Sequence, residues 1–269
     1  MDFILPFAVL IIAGLLAGLA AGMLGVGGSF ITVPALYWVF VNFYGIDETI
    51  AIRAAFATGL AVVVPTALCG VYGHNKSHNV EWKSAFTAGI TGFFGGLAGA
   101  YAATVLDGEI LRFLFAGLLA ITAIRLFLKK GKTEGGIPVY DPIILLTGGF
   151  ITGIASGIFG IGGGVILVPF LIVIAGFPTK KAVGTSSAYI LFSATGGIIM
   201  YLYRGIGTGV SLPFLSAGYI SILHFAVLAI ATITTANAGV FLNRRLNEKV
   251  IRVVLILLLI FSALEMIRT

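Results

Sequence analysis

Charge and cysteine are both scarce in this sequence of 269 residues. Only 10% of the residues are charged, whereas soluble domains carry about 25% charged residues. Cys69 is the only cysteine, which excludes an intramolecular disulfide and a cysteine metal cluster. The net charge of +6 does not indicate a nucleic-acid partner, because in an apolar chain Lys and Arg mark cytoplasmic loops.

Long apolar runs take the place of charge, with 59% hydrophobic residues and a mean hydropathy of +1.12. Many runs approach the ~20 residues that a helix needs to cross a bilayer, and they lack the alternating polarity of a transmembrane barrel. We therefore predict an all-α polytopic membrane protein without a cofactor. The predicted segments are Phe3–Phe40, Ile50–Tyr72, Trp82–Leu106, Ile110–Leu128, Pro142–Ala175, Lys181–Tyr203, Val210–Leu242 and Lys249–Ile267.

A glycine-rich phrase occurs twice, as GMLGVGGSFITVP at Gly22–Pro34 and as GIFGIGGGVILVP at Gly157–Pro169. Without a gap, Gly14–Leu36 and Gly149–Leu171 share 11 identical residues in 23 positions. The chain therefore reads as a tandem duplication, which is a usual construction of secondary transporters, with the substrate site at the interface of the repeats.

The match continues beyond the glycines, so we predict a first repeat at residues 1–132 and a second at 133–269. AIRAAFATGL in the first repeat can be laid over KAVGTSSAYI in the second. This alignment makes Ala55, Phe56 and Ala57 the counterparts of Thr185, Ser186 and Ser187. The hydroxyl contribution of the two repeats would then be asymmetric.

The two stretches that carry the glycines are too long for one crossing. Phe3–Phe40 holds 38 residues, or ~57 Å as one helix against an apolar core of ~30 Å. If every segment crosses once, Lys and Arg divide eight against eight, but if both stretches are re-entrant hairpins they divide twelve against four. The positive-inside rule favours the hairpins.

Each repeat then has one re-entrant hairpin and three full spans, so the two repeats have inverted topology. Both termini would lie outside the cytoplasm in a cell inner membrane. Four basic residues remain on the extracytoplasmic side, namely Arg53, Arg112, Arg204 and Arg268.

The hairpins would turn at the glycine clusters, because glycine permits the positive φ that a reversal needs. The helix after each turn would begin near Ser29 or Val165, with its N-terminus pointing into the membrane. Such N-termini bind anions without a basic side chain, although the glycines could also serve the turn alone. The predicted substrate-binding residues are Gly25, Gly27, Gly28, Ser29, Gly160, Gly162, Gly163 and Gly164.

Three hydroxyls early in the sixth segment, Thr185, Ser186 and Ser187, are further substrate candidates. Polar groups inside spans are costly and therefore informative. These hydroxyls could donate hydrogen bonds to an oxyanion, or bond to carbonyls of their own helix.

Accessory roles are conceivable for Arg53, His224 and Asn237. Arg53 could attract anions or extend its charge to the interface, and His224, halfway along the seventh segment, could relay protons or pack. His74 and His78 have a spacing that suits a metal, but no further ligand clusters with them, so we predict no metal site.

The duplicated phrases GVGGSFITVP and GIGGGVILVP, with AVGTSS after the second, resemble the sulfite exporter TauE/SafE family over essentially the whole chain. The resemblance implies an inner-membrane transporter that exports sulfite, organosulfonates or related sulfur oxyanions. It carries the family pattern onto Gly25, Gly27, Gly28, Pro34, Gly160, Gly162, Gly163, Gly164, Pro169, Thr185 and Ser186. The sequence departs from the pattern at Ser29 and at RAAFA, which stands in place of a GTS-like element.

We therefore predict a secondary transporter that exports sulfite, thiosulfate or an organosulfonate by alternating access, with the anion between the two turns. The alternatives are a passive anion channel and a transporter of another small anion. The membrane potential already expels anions, and coupling to H⁺ or Na⁺ stays open. No nucleophile–base pair is evident inside the spans, so an enzyme is not expected.

Overall fold

The computed structural model describes residues 4–128, 140–208, 212, 215–245 and 248–268. The predicted boundary between the repeats, at residues 132 and 133, lies outside these ranges. The elements in the described ranges are α1 (Ile4–Leu24), α2 (Ser29–Asn42), α3 (Glu48–Asn75), α4 (Trp82–Val105), α5 (Gly108–Leu128), α6 (Pro142–Phe159), α7 (Gly164–Val173), α8 (Thr179–Thr208), β1 (Ser216–Ala217), β2 (Ile220–Ser221), α9 (Ile222–Arg245) and α10 (Glu248–Arg268).

Six of these helices are long and apolar enough to cross a membrane, namely α1, α3, α4, α6, α8 and α9. The apolar helices α2 and α7 have 14 and 10 residues, or ~21 and ~15 Å, which is too short for a crossing. The prediction of an all-helical, multi-pass membrane protein is confirmed. The re-entrant hairpins and the inverted topology stay predictions.

Both long apolar stretches are broken at their glycine clusters, by residues 25–28 and 160–163. After each break the chain folds back along the helix it has just left. A Cβ on Gly28 would lie 2.4 Å from the carbonyl oxygen of Ala17 in α1. A Cβ on Gly148 in α6 would lie 2.2 Å from the ring of Phe170 in α7.

The helices of the two halves pack against each other reciprocally. α1 of the first half lies along α9 of the second, and α6 of the second half lies along α4 of the first. Glycines line both contacts, because small residues let helix backbones approach closely in a membrane. They are Gly14, Gly18 and Gly22 against α9, and Gly149, Gly153 and Gly157 against α4.

α3 and α8 pack against each other and are the most buried of the six candidate spans. Near its C-terminal end each helix contacts a backbone carbonyl of another helix. His74 Nε2 of α3 lies 3.2 Å from Gly22 O of α1, and Tyr201 OH of α8 donates to Gly157 O of α6 at 2.9 Å. Gly22 and Gly157 are counterparts in the gap-free alignment, so His74 and Tyr201 occupy equivalent places.

The equivalence of His74 and Tyr201 aligns the sequence of α3 with that of α8, and this alignment differs by three residues from the predicted one. The prediction that Ala55, Phe56 and Ala57 are the counterparts is wrong. It rests on the sequence similarity of AIRAAFATGL to KAVGTSSAYI, which does not reflect the contacts that α3 and α8 make. The counterparts of Thr185, Ser186 and Ser187 are Thr58, Gly59 and Leu60.

The predicted helix Val210–Leu242 begins too early. α9 starts at Ile222, and before it the short strands β1 and β2 pair antiparallel around Gly218, whose φ is +57°. Periodicity alone does not distinguish a short apolar strand from a helix. His224 therefore lies in the first turn of α9, not halfway along it.

Candidate substrate site at two glycine turns

The two glycine turns have nearly the same backbone. Gly25, Gly27 and Gly28 have φ of +65°, +83° and +78°. The counterparts Gly160, Gly162 and Gly163 have φ of +65°, +70° and +79°. A side chain rarely adopts these angles, so each turn requires glycine at three places.

The turns also touch each other. A Cβ on Gly164 would lie 2.6 Å from Gly25 O, and one on Gly27 would lie 3.4 Å from Ile161 O. Val63 of α3 contacts both turns, since its Cγ1 lies 2.9 Å from the Cβ position of Gly27 and from that of Gly162. The residues predicted from the two phrases are therefore brought together beside the middle of α3.

A helix starts directly after each turn. Gly28 precedes α2 and Gly163 precedes α7, both with left-handed backbone and neither with a side-chain cap. The first helical bonds run from Ile31 N to Gly28 O at 3.0 Å, and from Ile166 N to Gly163 O at 3.1 Å. The earlier N–H groups have no carbonyl within their own helix and carry its partial positive charge.

Ser29, the first residue of α2, is 1% exposed, and its Oγ has no hydrogen-bond partner among the described residues. Thr32, one turn further along α2, is equally buried, and its Oγ1 is also unpartnered in that part of the chain. Sequence analysis missed Thr32. The available signal was its spacing of three from Ser29, which places both on one helix face.

Thr185 supports the scaffold. Its Oγ1 accepts a hydrogen bond from Glu81 N at 3.0 Å, at the start of α4. In the first half Thr58 Oγ1 accepts from Ser221 N at 3.0 Å, just before α9. Thr58 of α3 thus binds an amide at the start of α9, and Thr185 of α8 binds an amide at the start of α4. In both cases the hydrogen bond links the two halves.

Ser186 and Ser187 also have partners inside the protein. Ser186 Oγ donates to Gly25 O at 3.1 Å, so it touches the first turn directly. Ser187 Oγ donates to Val183 O of its own helix at 3.0 Å. Of the three hydroxyls predicted on α8, only that of Ser186 contacts a glycine turn through a hydrogen bond.

His224 is fully buried and lies among polar and aromatic groups. Its Nδ1 is 2.6 Å from Ser221 Oγ and its Nε2 is 3.2 Å from Tyr44 OH. Burial raises the pKa of Tyr44 above its ordinary value, which keeps this hydroxyl protonated. The cluster joins the start of α9 to the segment after α2, away from the turns.

The other accessory candidates lie apart from the turns as well. Arg53 donates from Nε to Ala103 O at 3.2 Å and from Nη2 to Leu106 O at 2.9 Å, at the end of α4. Asn237 is exposed on α9. Within the described residues, no group of three or more His, Cys, Asp or Glu side chains could hold a metal.

Three of the four basic residues predicted on the extracytoplasmic side lie at one end of the helices. Arg204 Nε donates to Thr104 Oγ1 at 3.1 Å, close to the carbonyls that Arg53 binds. Arg112 pairs with Glu48 at 3.5 Å, at the start of α3. The side of the membrane that this end faces stays a prediction.

The chain matches the family model described as "Sulfite exporter TauE/SafE" over residues 10–266. A probable membrane transporter protein of Methanocaldococcus jannaschii is 32% identical over 259 residues, which cover 94% of this chain and 92% of that protein. A probable membrane transporter protein of Haemophilus influenzae is 27% identical over 264 residues, covering 95% and 96%.

A shorter match is found in a plant protein. Sulfite exporter TauE/SafE family protein 6 of Arabidopsis thaliana is 44% identical over 57 residues, or 21% of this chain and 13% of that protein. No solved structure matches the chain.

Proposed function

Because the chain belongs to the sulfite exporter TauE/SafE family, we propose that it exports a small sulfur oxyanion by alternating access. Family membership makes it a membrane transporter and not an enzyme. The proposed substrates are sulfite, thiosulfate or an organosulfonate, and the proposed site lies at the two glycine turns.

The observation that carries this proposal is the meeting of two helix N-termini at the turns. α2 and α7 start where the turns touch, and Ser29 adds a buried hydroxyl without a partner in the described residues. N–H groups and hydroxyls are the donors that an oxyanion accepts, and the helix ends favour negative charge. Broken helices aimed at an anion are a recurring device of transporters.

The reciprocal packing supports two inverted repeats, residues 1–132 and 133–269. α1 on α9 and α6 on α4 are equivalent contacts exchanged between the halves, as a two-fold relation requires. With the charge count, this favours an inner-membrane protein whose termini lie outside the cytoplasm and whose hairpins enter from opposite faces.

Movement of the turns is part of the proposal. The Cβ position of Gly164 is only 2.6 Å from Gly25 O, so an anion does not fit between the turns in this conformation. The halves must therefore rock apart to admit substrate, which favours a transporter over an open channel. The membrane potential contributes about 2.3 kcal/mol per charge per 100 mV to export, with or without H⁺ or Na⁺.

Flux through the purified protein in liposomes tests the proposal. We expect saturable uptake of radiolabelled sulfite, thiosulfate or a sulfonate that unlabelled anion on the opposite side accelerates. Sulfate serves as a matched oxyanion in the same series. Uptake that neither saturates nor responds to the opposite side indicates a channel, and flux no faster than in empty liposomes contradicts transport.

A further inference from the structure

We propose that the oxyanion site belongs to the first half alone. It is formed at the start of α2 by the N–H groups of Ser29 and Phe30, together with the hydroxyls of Ser29 and Thr32. The equivalent place at the start of α7 is not a second site. This inference rests on the proposed transport of an oxyanion and specifies where that anion binds.

Several other buried hydroxyls in this protein have a protein partner, although Ser84 Oγ on α4 resembles those of Ser29 and Thr32 in having none among the described residues. Thr152 donates to Gly148 O at 2.7 Å, and Ser193 donates to Gly162 O at 2.8 Å. Ser29 Oγ and Thr32 Oγ1 have no partner in the described part of the chain, although both residues are 1% exposed. A buried donor without an acceptor is costly, so two on one helix face point to a bound acceptor.

The backbone adds donors at the same place. Ile31 N and Thr32 N already donate to Gly28 O, at 3.0 and 3.5 Å. The N–H groups of Ser29 and Phe30 precede them and have no carbonyl within α2 to bind. Since the helix start also carries partial positive charge, the ligand that satisfies all four donors is an anion with several acceptor oxygens.

The Thr32 hydroxyl faces a glycine of α3. Its Oγ1 lies 3.7 Å from the Cβ position of Gly59, and Gly160 O lies 3.8 Å from the same position. The proposed site is therefore bordered by α2, by α3 and by the second turn. Movement of that turn relative to α2 would open or close the site, as alternating access requires.

The second half lacks these features. Its counterparts of Ser29 and Thr32 are Gly164 and Leu167, which have no hydroxyl. Gly164 is pressed against the first turn. Ser186, the counterpart of Gly59, donates its hydroxyl to Gly25 O, so a hydrogen bond within the protein takes the place of a ligand.

Replacing each hydroxyl singly tests the inference. In counterflow of radiolabelled sulfite, thiosulfate, sulfate and a sulfonate, Ser29→Ala and Thr32→Val should raise the KM of the transported anion by roughly tenfold or more, the usual effect of losing a hydrogen bond to a charged group. Thr122→Val is the matched control, because its hydroxyl bonds only to Leu118 O of its own helix. Its KM should equal the wild-type KM.

A substrate-free measurement separates binding from folding. Thr32→Val removes a buried hydroxyl without a protein partner in the described residues and keeps the side-chain shape, so its thermal midpoint in detergent should equal or exceed that of the wild type. A raised KM with a lowered midpoint would mean that the hydroxyl supports the fold, which contradicts the site.

The remaining outcomes are distinct. If the wild type transports one of the four anions and both variants keep its KM, the one-sided site is wrong while the transport proposal stands. If the wild type transports none of them, both proposals fail. If replacing Na⁺ by choline changes the wild-type KM and leaves that of Thr32→Val unchanged, the hydroxyls bind a cation and the site is overturned.

Discussion

The first and second halves of the molecule have nearly the same backbone at their glycine turns but carry the hydroxyls near those turns on different helices. In the first half they lie on the hairpin helix α2, at Ser29 and Thr32, opposite Gly59 of α3. In the second half the hairpin helix α7 has none at these places, and Ser186 of α8 binds the opposite turn instead. Both halves have the glycine turn and a left-handed glycine before the following helix, whereas the side chains that face the turns differ between the halves.

The difference separates scaffold from site. Groups present in both halves, such as the threonines that accept from Ser221 N and Glu81 N, have protein partners. The hydroxyls present in one half only, Ser29 and Thr32, have no partner in the described chain. Hydroxyls that have a protein partner therefore support the fold, and the unduplicated pair on α2, which has none in the described chain, is the candidate for substrate binding.

The largest effect is expected from adding a methyl group to the turns. Gly28→Ala forces a Cβ to 2.4 Å from Ala17 O at a φ of +78°, which should cost about 2–4 kcal/mol through strain and overpacking. Gly163→Ala should cost less, because its Cβ would be 2.9 Å from Thr152 O. Thermal unfolding in detergent measures both.

Gly45→Ala isolates the strain. Gly45 has a φ of +60° but nothing within 4 Å of its Cβ position, so only ~1 kcal/mol from the backbone is expected. If Gly45→Ala lowers stability as much as Gly28→Ala, close packing is not what distinguishes the turn.

An intermediate effect is expected at the paired threonines. Thr58→Val leaves the amide of the fully buried Ser221 without its acceptor, which should cost about 1–3 kcal/mol. Thr185→Val should cost about 0.5–1 kcal/mol, because water can reach the half-buried Glu81. Both variants should keep the wild-type KM, and a raised KM for Thr185→Val alone would return this hydroxyl to the substrate site.

A similarly small effect is expected for Ser186→Ala. This change removes the hydrogen bond to Gly25 O and makes α8 resemble α3, at a cost of about 0.5–1.5 kcal/mol. The comparison of the halves predicts a lower thermal midpoint with a much smaller change in KM than for Thr32→Val. A larger change in KM for Ser186→Ala than for Thr32→Val would place the anion on the second half.

Much of the fold could be predicted from the sequence, because glycine clusters and apolar run lengths are local signals. Both breaks lie at the expected glycines, and the packing glycines face a helix of the other half. The alignment of α3 with α8 could not be predicted from the sequence, because it depends on which carbonyls His74 and Tyr201 contact in the folded protein. The hydroxyl of Thr32 was missed for a similar reason, because lacking a partner is a property of the packed structure.

The central claim is that two inverted halves bring their turns together from opposite faces of the membrane. It is tested by labelling single cysteines introduced in a Cys69→Ser background, as Asp47→Cys before α3 and Pro178→Cys before α8. Both residues directly precede the first residue of a helix. The account predicts that an impermeant thiol reagent reaches residue 47 only from outside the cell and residue 178 only from the cytoplasm. Labelling of both positions from the same side would contradict it.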